Sequence, residues 1–130
     1  MRFPRFAGNV LWATSTDVYV TSVGLISGTH VVRSNQRGAS GTWNAAQNGL
    51  PDVAVEILKT DPTDPSRKTI FAGTDLGGYR TTDGGAYWSL FGSHLPQVRV
   101  TDLYIPPDGS FLRIGTYGRG VWETSLAGDV

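Results

Sequence analysis

The sequence predicts an all-β fold, a β-propeller segment of about three four-stranded antiparallel blades, and three observations carry that prediction. Short stretches rich in β-branched and aromatic residues dominate the chain, and clusters of Gly, Pro, Asp and Asn bound them. Helical periodicity is nearly absent, and several landmarks recur in the same order at spacings of 42 to 45 residues.

The strand candidates are DVYVTSV (17 to 23), HVVRS (30 to 34), VAVEILK (53 to 59), KTIFAGT (68 to 74), VRVTDLYI (98 to 105), FLRIGTY (111 to 117) and GVWETSL (120 to 126). Many short strands with frequent turns fit a sandwich, a barrel or a propeller. Repetition chooses among them. Leu-Pro begins at positions 50 and 95, Trp43 and Trp88 are also 45 apart, and Gly-Thr begins at 73 and 115. A period of about 40 to 50 residues holding four short strands is that of a propeller blade.

On this reading one array covers 1–130, with blades over about 9–46, 52–91 and 97–126. The third has three strands, and residues 1–7 are expected to latch onto it as the fourth, with Pro4 suited to an edge. Closed propellers have about four to eight blades. The ring is therefore expected to be completed by oligomerisation with itself or by the missing blades of a larger propeller, two copies giving six blades.

Composition narrows the function. A chain of 130 residues buries a real core. Eleven basic residues balance eleven acidic ones without runs of one sign, so neither a nucleic-acid nor a membrane-surface partner is indicated. The lack of cysteine excludes disulfides, thiolate metal sites and a thiol nucleophile. His30 and His94 lack any metal-binding spacing, so no metal and no cofactor is expected. No signal-peptide pattern opens the chain, and no stretch approaches the roughly 20 apolar residues of a membrane span.

One motif stands out, RTTDGGAYW at 80 to 88. Asp83 can accept backbone N–H groups of its own turn, Gly84 and Gly85 permit positive φ, and Trp88 can anchor the hairpin by burial. A worn copy, SNQRGASGTW, runs from Ser34 to Trp43, with Gln36 in the Asp place and two extra residues.

With Thr81, Asp83, Gly85 and Trp88 in these places, the chain resembles the bacterial neuraminidase-repeat, or Asp-box, propellers. That group includes sialidases, xyloglucan-degrading endoglucanases, sortilin-type receptor domains and photosystem assembly factors. The resemblance runs from about Val18 to Glu123, and GTYGRGVWE (115 to 123) looks like a closing repeat. It implies a secreted or extracellular setting and a structural role for the four Asp-box residues. It does not imply one function, because enzymes, receptors and assembly factors share the repeat.

Ligand chemistry is expected on the loops away from the Asp boxes: Asp75 in TDLGG, Tyr117 and Arg119 in TYGRG, His94, and the stretch from Gly24 to Thr29. TDLGGYR is similar to the segment carrying a catalytic carboxylate in xyloglucan-degrading endoglucanases, with Asp75 at the matching position. Glycoside hydrolysis needs a second carboxylate about 5 to 9.5 Å away, and Asp102 is the candidate. The leading expectation for Asp75 is that it shapes its loop, with the catalytic role as the alternative. For sialidase chemistry Arg80, Arg119 and Tyr117 are present, but the Arg-Ile-Pro opening of that group is missing. Trp43, Trp88 and Trp122 are expected in the core, while Trp12 and Tyr117 are candidates for stacking on sugars. The leading expectation is a non-catalytic module for glycan or protein binding and self-assembly. The alternative is a segment of a secreted glycoside hydrolase contributing one carboxylate.

Overall fold

The computed structural model describes residues 7–22, 29–92 and 95–126. Within them eleven strands form three antiparallel sheets. The first sheet orders β1 (Ala7–Trp12), β2 (Val18–Ser22), β3 (Val31–Ser34) and β4 (Asn44–Ala45). The second orders β5 (Val55–Thr60), β6 (Ile70–Thr74), β7 (Gly77–Thr81) and β8 (Ser89–Leu90). The third contains β9 (Val100–Tyr104), β10 (Leu112–Thr116) and β11 (Val121–Thr124). Consecutive antiparallel strands in a four-stranded meander are the blades of a propeller.

β1, β4, β7 and β8 lie outside the seven sequence-derived strand candidates. β4 and β8 are two residues long, too short for alternation to register. GGYRT of β7 opens on two glycines, residues that otherwise argue against a strand. Here Gly77 takes φ 104°, which closes a tight hairpin on Thr74.

Two apolar seams hold the blades together. Between the first and second lie Tyr19, Val31, Leu58, Ile70 and Trp88, all buried. Between the second and third lie Phe71, Phe91, Val100, Leu103, Leu112 and Ile114, with Phe71 and Phe91 edge-to-face at 5.0 Å. Sheets packed face on face need one thin spot where backbones approach. Gly73 supplies it, since a Cβ there would lie 2.7 Å from Val100 Cγ1 and 2.9 Å from Ile57 Cγ2.

Polar ties cross the first seam. The Asn9 carboxamide accepts the N–H of Leu58 at 3.0 Å, and the Tyr19 hydroxyl donates to the Gly84 carbonyl at 2.7 Å. Such bonds satisfy backbone groups that the meander leaves open.

Two expectations need correction. Ala7, placed in a latch on the third blade, pairs with Ser22 inside the first; residues 1–6 of that latch lie outside the described residues. Trp122, expected in the core, is 38% exposed, because it sits on β11, the last strand of its sheet, and no strand covers it among the described residues. Trp43 is only half-buried, while Trp88 is fully enclosed.

Candidate functional site

Antiparallel order sends the loop between second and third strands, and the connection between blades, to one end of the sheets, here called the upper end. The first-to-second and third-to-fourth loops go to the lower end. The residues of the 81–88 motif are therefore lower, and Asp75, Tyr117 and Arg119 are upper.

At the lower end Thr81 organises the second blade's turn. Its hydroxyl accepts the N–H groups of Asp83 (3.3 Å) and Gly85 (3.0 Å) and donates to Asp83 Oδ1 at 2.6 Å. Asp83 Oδ1 also accepts from Tyr87 N at 3.1 Å, and these bonds hold its carboxyl below the usual aspartate range. Gly84 and Gly85 take φ 76° and 96°. Trp88 donates its indole N–H to the Ala46 carbonyl in the first blade. The first blade repeats the scheme: Ser34 Oγ accepts from Gln36 N (3.1 Å) and Gly38 N (3.0 Å). Its hydroxyl partner is Thr42 at 2.6 Å, so a threonine from the two-residue-longer loop stands where the second blade uses a carboxylate.

The repeated Gly-Thr pairs place the upper hairpins. Thr74 Oγ1 donates to the Gly77 carbonyl at 2.8 Å, and Thr116 Oγ1 to the Gly120 carbonyl at 2.7 Å. Asp75 N then donates to the Ala54 carbonyl (3.1 Å) and Tyr117 N to the Arg99 carbonyl (2.9 Å), each reaching the residue just before the first strand of its own blade. Asp75 and Tyr117 are thus equivalent positions in neighbouring blades.

Arg99 draws the upper end together. Its Nη2 lies 3.4 Å from Glu56 Oε2 and its Nε 3.6 Å from Asp75 Oδ1. The Glu56 carboxyl is pushed above the usual glutamate range, first by desolvation and then by its hydrogen-bonding contact with Asp75, with Arg99 acting in the opposite direction. Asp75 Oδ1 is buried and has no hydrogen-bond partner among the described residues. Around this cluster Tyr117 is 73% exposed, Leu76 is exposed, and Arg119 is exposed with its carbonyl held by the Trp122 indole at 2.9 Å.

Glu56, missed from the sequence, is the carboxylate beside Asp75. Asp102 is not: it pairs with Gly115 on the exposed face of the third blade, away from the seam. The 45-residue repeat gave no signal for Glu56, since it aligns Glu56 with Thr101 and Asp102 with Ile57. His30 was also overlooked as an organising residue. It is buried, its Nε2 lies 2.5 Å from Asp52 Oδ1, and its N–H reaches the Gln47 carboxamide. His94 and residues 24–28 lie outside the described residues.

No family model and no curated protein sequence matches the chain. Solved structures do. A GH74 enzyme from Niastella koreensis superposes with a TM-score of 0.65 at 18% identity, over 87% of this chain and 18% of that one. YCF48, solved bound to D1 peptide, superposes with a TM-score of 0.55 at 16% identity, over 90% of this chain and 39% of that one. Both are propeller proteins, and at these identities the likeness establishes the β-propeller fold. The chain spans well under half the length of either.

Proposed function

We propose that this chain is a non-catalytic propeller module that binds a protein or glycan partner through its upper loops and associates with itself to close a ring. The observation that carries the reading is the arrangement around Arg99. Glu56 and Asp75 are held together by one guanidinium, and the exposed Tyr117, Leu76 and Arg119 surround them. Exposed aromatic and Arg side chains beside a compensated charge cluster are what protein-binding surfaces offer. The propeller that superposes with a bound peptide supports the same reading by fold analogy.

A glycoside hydrolase segment is the second reading, favoured by the presence of a carboxylate next to Asp75. Their pairing argues against it. Arg99 forms an ion pair with both carboxylates, which compensates their charge, whereas a glycosidase needs two carboxyls about 5 to 9.5 Å apart that flank the bond to be cleaved.

The blade faces at the two ends of the array support self-association. Val10 and Trp12 on the first blade, and Tyr104 and Val121 on the third, are large apolar side chains exposed on sheet faces. By the 45-residue repeat, Trp43 occupies on the first blade the position from which Trp88 seals the second against its neighbour. A preceding blade is what that position is built to meet.

The test is to screen the protein against a peptide library and a glycan array, with a Tyr117→Ala, Arg119→Ala double variant alongside. The expected result is a ligand held by the parent and held about tenfold more weakly by the variant. Ligands retained equally by both, or release of reducing ends from xyloglucan that depends on Asp75, would overturn the reading.

A further inference from the structure

The lower end carries a second concave feature, unrelated to the upper loops. A cleft of about 180 Å³ opens between the first and second blades. Its walls are the end of β3, the start of β4, the segment after β4, and the turn at 83 to 86.

The chemistry of the walls is distinctive. Asn35, Asn44 and Asn48 line the cleft and are all exposed to it or to solvent; the Asn44 carboxamide makes one long bond, 3.5 Å to the Thr42 carbonyl. Each carboxamide offers both donors and an acceptor. Two charged residues also line it: Arg33 is paired with Asp17, whereas Asp83 makes hydrogen bonds but no ion pair among the described residues. Arg33 Nη2 donates to Asp17 Oδ1 at 2.9 Å, while Asp83 is satisfied by the Thr81 hydroxyl and the Tyr87 N–H. Arg33 Nε is buried without an acceptor among the described residues, which leaves one donor of the wall unmatched. Ala46 and Ala86 add methyl groups between the polar side chains.

We infer that this cleft is a binding site for a single neutral sugar ring. The Asp83 carboxylate repels an anion and Arg33 is already paired with Asp17, while a metal cation would need further acidic or imidazole ligands beside Asp83, and no such group of three stands among the described residues. A polyol needs paired donors and acceptors in close alternation, with apolar patches for its C–H faces, and three asparagines among alanines provide both. The volume lies below the roughly 300 to 1,000 Å³ of drug-sized pockets, so one ring is accommodated and an extended oligosaccharide would project outward. The site is independent of the upper-loop reading, because it lies at the opposite end of the sheets.

The experiment is a titration of isotope-labelled protein with D-glucose, D-galactose, D-mannose, L-fucose and D-xylose, followed through backbone amide resonances, with glucuronic acid and glucosamine as charged comparisons. Saturable millimolar shifts confined to the amides of 44 to 48 and 83 to 86 are expected for at least one neutral sugar, and weaker ones for the charged pair. The Asn44→Ala, Asn48→Ala double variant is expected to bind about tenfold more weakly. Ala86→Phe fills the cleft at an exposed position without deleting a hydrogen-bonding side chain, and is expected to abolish the shifts while the remaining spectrum stays in place. Shifts at the amides of 75, 99 and 117 instead would assign sugar binding to the upper loops and overturn this site. No saturable shift with any neutral sugar, tighter binding of a charged sugar, or shifts indifferent to Ala86→Phe would overturn it as well.

Discussion

Trp88 in the second blade donates its indole N–H to the carbonyl of Ala46 in the first, 2.8 Å away, while its ring is fully enclosed in the seam between them. One side chain therefore both fills the seam and satisfies a buried backbone acceptor. Trp88→Ala is expected to cost about 3 to 5 kcal/mol through the cavity it leaves. Trp88→Phe keeps most of the bulk but orphans the carbonyl, and is expected to cost about 1 to 3 kcal/mol. Urea unfolding of both variants checks the order; since both lose the hydrogen bond, equal losses would mean that the bulk of the ring contributes nothing.

Gly73 is the contact point of the second seam. Gly73→Ala drives a methyl group against Val100 and Ile57 and is expected to destabilise by about 1 to 3 kcal/mol. Combining it with Val100→Ala makes room for the new methyl, so the double variant is expected to be more stable than the sum of the single losses predicts. Strict additivity would place the two residues out of contact.

Glu56 gives the fold a pH dependence whose sign follows from its raised pKa. The folded state binds the Glu56 proton more tightly than the unfolded chain does, so its contribution is fully present below 4.5, the ordinary glutamate value, and is lost as pH rises through the folded value. Glu56→Gln is expected to leave stability unchanged or higher at neutral pH and to flatten the decline above that point. Unfolding midpoints measured at several pH values read this directly. A variant with the parent's slope would assign the titration elsewhere.

The lower turns of the first two blades differ in what completes them, and their pH responses should differ accordingly. Ser34→Ala removes the acceptor of two N–H groups and is expected to cost about 1 kcal/mol or more at any pH. Asp83 has a depressed pKa, so its contribution is present above the ordinary aspartate value and lost as pH falls through the folded value. Asp83→Ala is therefore expected to destabilise at neutral pH and to converge on the parent in acid. Amide exchange of the two turns, measured at both pH values, separates the cases.

These relationships were unequally legible in the sequence. The Leu-Pro, Trp and Gly-Thr spacings revealed the blades because each landmark does one repeated job: Thr74 and Thr116 both close an upper hairpin with the same hydroxyl bond. The 81–88 turn was readable for the same reason, since its contacts are local. What escaped was non-local. Glu56 meets Asp75 only because Arg99, more than twenty residues further on, returns at the start of the third blade. Trp122 looked like a core residue because its strand reads as apolar, yet burial depends on whether another strand or blade covers it. The short β4 and β8 left no periodicity to detect, and β7 hid behind glycines that its hairpin requires.

The central claim, that three blades associate to complete a ring, is tested most directly by absolute mass in solution, from light scattering on a sizing column over a range of concentrations. Two chains of 14.0 kDa in one discrete particle that persists on dilution is the result expected, since six blades close and both exposed sheet faces are covered. A single 14.0 kDa species at every concentration would contradict it.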